Sequence, residues 1–381
     1  MKTSCSKKSE SFGFFKSTLL FLPDRITCSF SDVGLCWIVF WMLLSGCTGS
    51  ERESVDGLYG FSQKTALSSE RLTSSTQINK ASSLHLFGNY LFVYDWGQDY
   101  QYKVIDVSGD RLIGKFAKNG EGPCEVGMPT SLNWLNKDKN LIGLNDRRRF
   151  KMQHFDLNNL SKPGDDNCQE LPIKLDMNFQ KVVQMDSTAF VGYGLFQGRY
   201  ALQLMGKDGV VESTVGFPQS EDNQGIDYQV LAMAYQGDLL KHPTERKMVS
   251  TSTDSFSIDI LELTSEEEVK LIKRIQHWAP EFNRTSGEMI SADMVPGNRF
   301  GSIGAAVSND FIYILFSGKS NLDETAFQSD QVFVYDWEGN PIEVLTLDHT
   351  VSSIAVDEAD RMLIGFLDER DPVLLKYELV E

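Results

Sequence analysis

An all-β fold is what the sequence predicts: a six-bladed β-propeller of four-stranded antiparallel blades. Three observations predict it. From Ser82 onward, short runs of β-branched and aromatic residues alternate with turn residues. A third-strand-to-fourth-strand turn then recurs roughly every 50 residues, the period of a propeller blade. Finally, the string FVYDW occurs twice, at Phe92–Trp96 and at Phe333–Trp337.

The first 46 of the 381 residues read as a signal peptide. Val33 to Leu44 is almost wholly apolar and too short to span a bilayer comfortably. It ends in Leu44-Ser45-Gly46-Cys47, which resembles the lipobox of bacterial lipoproteins: small residues before the cleaved bond, then a cysteine whose thiol takes the lipid. Cys47 is therefore the expected lipid-attachment residue. The membrane is the expected partner through that anchor, since each buried CH2 of an acyl chain contributes about 0.8 kcal/mol. The nearest basic residue ahead of the apolar core is Arg25, so residues 1–30 read as an over-long start. Residues 47–80 are rich in Ser, Thr, Glu and Lys and read as a tether. It ends in one strand around Thr65–Thr73 that closes the last blade.

The propeller occupies 81–381, with blades centred on 84–117, 130–160, 171–216, 228–278, 303–347 and 352–380. The innermost strands are expected to begin SLHLF, SLNWL, VVQMD, AMAYQ, IGAAV and IAVDE. The last blade has three obvious strands, and the segment near 60–75 is placed to supply the fourth and remove an open sheet edge. Ser265–Ile275 carries a helical capping-box pattern, but its alternation and the blade register predict a strand. The two FVYDW copies fall on a second strand and a third strand. They read as two uses of one strand chemistry, with Asp accepting turn N–H groups and Trp covering an edge, and not as a shared ligand site.

Charge narrows the partners. The whole chain carries net −17, and beyond residue 46 it holds 31 basic and 50 acidic residues, net −19. Such a body repels phosphate backbones, so nucleic acid is excluded as a partner and a soluble monomer is expected. After cleavage three cysteines remain: Cys47, Cys124 and Cys168. The last two lack metal-ligand spacing. They are either a disulfide or two free thiols.

Four stretches resemble the TolB-like six-bladed propeller lipoproteins of Gram-negative envelopes: FIYILFSGKS (Phe311–Ser320), VFVYDWEGNPIEVLTLD (Val332–Asp348), IAVDEADRMLIGF (Ile354–Phe366) and LLKYEL (Leu374–Leu379). KNGEGPCEVGMP (Lys118–Pro129) resembles that family's GxGPGEF loop, with Cys124 in place of a Gly and Val126 in place of a Phe. The resemblance runs from about residue 80 to the end. It implies the fold and an envelope location, with the outer membrane as the expected site of anchoring. It implies no catalytic residues.

Motifs for chemistry are sparse. His85, His154, His242, His277 and His349 are not paired at ligand spacing. There is no G-x-S-x-G, no P-loop and no D-x-D-x-D-G calcium loop. No catalytic residue, metal or cofactor is therefore expected. NGEGP reads as the tight turn between blades in preference to an anion cradle. The best candidate for recognition is the polar insertion Ser317–Asp330, with Lys319, Asn321 and Phe327, because loops on a rigid scaffold carry recognition. The expected function is a binding or scaffold module for a protein or glycan. The alternative is a metal-centred hydrolase or lactonase, which needs acids at the starts of several innermost strands.

Overall fold

The computed structural model describes residues 58–95, 99–136, 139–159, 168–218, 225–284 and 291–379. The signal-peptide reading, the lipid site Cys47 and the first part of the tether lie outside the described residues, as does Trp96.

The described chain begins with two short strands, β1 (Lys64–Leu67) and β2 (Ser69–Arg71). Blade 1 is β3 (Ala81–Phe87), β4 (Tyr90–Asp95), β5 (Tyr100–Asp106) and β6 (Arg111–Lys118). Blade 2 is β7 (Pro129–Asn136), β8 (Leu141–Asp146), β9 (Lys151–Asp156) and β10 (Cys168–Glu170). Blade 3 is β11 (Phe179–Gln184), β12 (Ala189–Gly194), β13 (Tyr200–Leu204) and β14 (Glu212–Thr214). After helix α1 (Tyr228–Ala234), blade 4 is β15 (Leu239–Lys241), β16 (Lys247–Thr251), β17 (Phe256–Leu263) and β18 (Val269–Trp278). A hairpin of β19 (Phe282–Arg284) and β20 (Ala292–Met294) precedes blade 5, which is β21 (Ser302–Val307), β22 (Phe311–Phe316), β23 (Ser329–Asp336) and β24 (Pro341–Val351). Blade 6 is β25 (Ser353–Val356), β26 (Met362–Leu367) and β27 (Val373–Glu378).

The N-terminal strands complete the last two blades. β2 pairs antiparallel with β27, Ser69 opposite Tyr377, and so supplies the expected fourth strand of blade 6. β1 adds a fifth, parallel strand to blade 5 alongside β24, which the sequence reading lacked. Each covers an outer edge that would otherwise present unpaired N–H and C=O groups. Six apolar clusters sit at the six junctions between successive blades, for example Phe92, Phe116 and Phe155 between blades 1 and 2. A four-stranded sheet buries one face against each neighbour. Closing the ring therefore buries both faces of all six, and strands such as β12 are buried along their whole length.

One predicted strand is a helix. AMAYQ, expected to open blade 4, lies on the end of α1, its C-cap Tyr235 and the following Gln236, and the innermost strand there is β15. The Asp227 side chain accepts from the Gln229 N–H at 2.8 Å and caps the helix, and Leu, Ala and Met, none of them β-branched, continue it. Val269–Trp278 is a strand, as blade register requires, and the two FVYDW copies fall on β4 and β23.

Candidate functional site

Two parts of the molecule could carry function: the loops where the innermost strands begin, and the central channel.

The insertion Ser317–Asp330 joins β22 to β23 on the loop-bearing face. Lys319 Nζ donates to Thr325 O at 3.0 Å, to Thr325 Oγ1 at 3.0 Å and to Gln328 O at 2.8 Å. Asn321 Nδ2 donates to Val295 O at 2.9 Å, and its Oδ1 accepts from Gly297 N–H at 2.9 Å. Lys319 thus closes the loop on itself, while Asn321 fastens it to the segment after β20. Arg299 adds a further clamp, donating from Nε to Gly318 O at 3.1 Å and lying 4.5 Å over the Trp278 ring. Of the three residues singled out from sequence, only Phe327 faces solvent substantially, at 57% exposure, with its ring 4.7 Å from Phe300. Leu322, at 72%, is a second apolar tip that the sequence reading missed. An apolar residue in a polar insertion was its only signal.

The turn Lys118–Pro129 is not an open anion cradle. Glu125 fills it with its own carboxylate, which accepts from Gly122 N–H at 2.8 Å and pairs with Lys118 at 2.6 Å. A Cβ on Gly120 would stand 2.0 Å from that carboxylate, so a larger residue there would require the Glu125 side chain to move. The Lys118 ammonium and the Gly122 N–H hold the Glu125 carboxyl below the usual range. Cys124 and Cys168 form a disulfide tying this turn to β10.

In the channel, Lys181 on β11 pairs with Asp238 just ahead of β15 at 2.7 Å. Both are ringed by protein yet keep 28% and 33% of their side-chain surface open to the channel. Burial alone would lower the Lys181 ammonium, but Asp238 overcomes that and holds it above its ordinary value. His85 of β3 faces the same space. Burial pushes its imidazole down to about 4, with Asp238 pulling up and Lys181 pushing further down, so the ring is neutral at pH 7.

Beyond His85, where the innermost strands end, lies a cavity of about 90 Å³. Five of the six innermost strands or their turns line it, with Phe87, Asn133, Trp134, Lys241, His242 and Val307 among the lining residues. His242 is a structural group: its Nδ1 accepts from Thr244 N–H at 3.1 Å and Glu245 N–H at 3.0 Å. Its Nε2 therefore carries the proton and donates to Asn309 O at 3.0 Å. Burial also lowers the His242 pKa.

Histidines therefore do not converge into a ligand set. His154 bonds Gln184 at 2.8 Å and His277 stacks on Phe256, both away from the cavity. Among the described residues no three His, Cys, Asp or Glu side chains come together as metal ligands. Asp238, an acid just ahead of an innermost strand, is engaged by Lys181. Channel residues such as Asn133 and Lys181 carried no distinguishing sequence signal, since β7 and β11 each hold several polar residues. Nothing in the sequence says which of them meet.

The family model described as TolB-like 6-blade propeller-like matches residues 60–359. No curated protein matches this chain. Solved structures are similar to this chain at low identity. A member of the DUF4221 family from Bacteroides vulgatus is 10% identical with a TM-score of 0.47, covering 82% of this chain and 95% of that one. The β-propeller domain of Cps50 (Swd1) from Myceliophteria thermophila is 10% identical with a TM-score of 0.42, covering 80% and 98%. Hydrazine synthase from Kuenenia stuttgartiensis is 12% identical with a TM-score of 0.42, covering 79% and 84%.

Proposed function

Because this chain belongs to the TolB-like six-bladed propeller family, we propose that it is a lipid-anchored binding module of the bacterial cell envelope, presenting its loop face to a protein or glycan. The observation that carries the reading is the Ser317–Asp330 loop. Lys319 and Asn321 are spent on locking it, which leaves Leu322 and Phe327 displayed on a fixed frame. Apolar and aromatic side chains held out at low conformational cost are what recognition surfaces use as anchors. The anchor is assigned to Cys47 and the membrane to the outer membrane, on the LSGC motif and the family's envelope association. Glu51 and Glu53, close behind Cys47, favour export to the cell surface.

The test is photo-crosslinking in whole cells. A benzophenone amino acid replaces Phe327 in one variant and Glu267, in the remote turn between β17 and β18, in another. The reading predicts a discrete adduct from position 327 and not from 267. Identical adducts from both positions, or none from 327, would contradict it. In parallel, Cys47→Ala should lose fatty-acid label and leave the membrane fraction. A membrane-bound, labelled Cys47→Ala variant would refute the anchor assignment alone.

A further inference from the structure

The channel cavity holds a cation and donors with nothing to bind them. Lys241 ends β15 and lines the cavity, and among the described residues its ammonium has no ion pair and no hydrogen bond. Asp186 is the one acid that acts on it, and that carboxylate is engaged by Arg246 at 3.0 Å and by the Thr188 and Ala189 N–H groups. Glu358 also lines the cavity but accepts from Gly88 N–H at 3.1 Å and does not figure among the charges acting on Lys241. Asn133, 5% exposed on β7, is the second observation. Its amide nitrogen is buried without a partner, and so is the indole nitrogen of its neighbour Trp134. A half-turn of the Asn133 amide exchanges atoms of nearly equal size and would face its donor into the cavity. Unpartnered buried donors cost free energy until an acceptor arrives.

Leu84, Leu86, Leu132, Ala305 and Val356 supply the apolar part of the wall, beside the polar His85, His242, Thr244 and Glu358. The space, about 90 Å³, is well under the roughly 150 Å³ of a cavity that takes benzene. The occupant must therefore be small, with an anionic head and a short apolar tail.

We propose that the end of the central channel is a binding site for a short aliphatic carboxylate, with Lys241 taking the carboxylate, Asn133 donating to it and the leucine-lined wall taking the tail. The site stands apart from the loop face and does not depend on the partner assigned there.

The test uses the full chain titrated with propionate by calorimetry and by saturation-transfer NMR. Propionamide and inorganic phosphate serve as comparison probes. Propionate should bind saturably in the millimolar range, and propionamide, its uncharged isostere, at least about tenfold more weakly. Phosphate, lacking a tail, should also bind more weakly. Lys241→Met should weaken propionate about tenfold or more, with Lys241→Arg recovering part of the loss. Near-ultraviolet circular dichroism of both variants checks the fold, and Asn133→Asp, which sets a carboxylate against the ligand's, gives an independent loss. The proposal is overturned if propionate fails to saturate below about 50 mM, if the amide binds equally well, or if folded Lys241→Met binds propionate like the parent chain.

Discussion

Cys124 adopts φ +56°, left-handed backbone that glycine takes freely and other side chains take at a cost of about 1 kcal/mol. Glycine stands at this place in the family loop that the sequence resembles. Here the strained position holds half of the Cys124–Cys168 disulfide, which closes a 44-residue separation. Removing it through Cys124→Ser with Cys168→Ser should cost about 2–4 kcal/mol in denaturant unfolding, chiefly by freeing the unfolded chain. Cys124→Gly with Cys168→Ser should be about 0.5–1 kcal/mol better than the double serine, because glycine relieves the left-handed strain. Equal stability of the two double variants would show that the turn relaxes away from φ +56° once the bond is gone. Sequence alone left the two cysteines paired or free. Their meeting requires the blade 1–2 turn to reach the outermost strand of blade 2, which spacing does not encode. Of the two FVYDW aspartates, Asp95 accepts from Lys80 N–H at 2.8 Å, ahead of its blade, whereas the second was legible, since Asp336 accepts from Asn340 N–H of its own turn at 2.7 Å. So was the edge-covering tryptophan of the second copy, since Trp337 is 4% exposed and donates to Ser308 O at 3.3 Å.

The element that seals the ring is the run from β1 through the 3-10 turn at Thr73–Gln77. One carboxylate fastens that turn to blade 1. Asp110 accepts from Thr73 N–H at 2.6 Å and Thr73 Oγ1 at 2.5 Å, and from Ser74 N–H at 3.0 Å and Ser74 Oγ at 2.7 Å. Partial burial works to raise its pKa, but these donors outweigh it and bring the carboxyl to about 2. A carboxyl ordinarily near 3.9 and depressed on folding stabilises above the unfolded value. That contribution declines as pH falls through about 4 and is gone once pH passes below about 2. Pepsin, active over this range, should therefore cut near Thr73 faster in the parent chain as pH is lowered. Asp110→Asn should be cut readily at all these pH values and lose the dependence. Parallel pH profiles for the two proteins would remove Asp110 from this role. The missing fourth strand of the last blade showed that something closes it, and the segment near 60–75 was placed to do so. The receiving carboxylate, in an SGD turn of blade 1, and the parallel strand β1 were not legible, because both depend on which blade edges adjoin. The α1 misreading has a similar source: a short apolar run reads equally as buried strand or helix until a cap is recognised.

At the scale of the whole molecule, blade period and strand chemistry gave the six-fold count, and six interblade clusters close into one ring. That much was readable because blades buried on both faces demand short, near-continuous apolar runs bounded by turn residues, a local pattern. The channel was not readable, because its cavity is assembled from residues between positions 84 and 358, a few from each of five innermost strands or their turns. The claim on which function rests is that this ring carries the Ser317–Asp330 loop as a rigid display. The amides of Gly318, Asn321, Ala326 and Gln328 all donate within the loop or to its neighbours, at 2.8–3.0 Å. Hydrogen-exchange mass spectrometry of the full chain tests this most directly. Peptides spanning 317–328 should exchange slowly, within reach of those from the adjoining strand β22, and Asn321→Ala should speed only the loop. Exchange of the loop amides at the rate of unstructured peptide, with β22 still protected, would contradict a locked recognition surface.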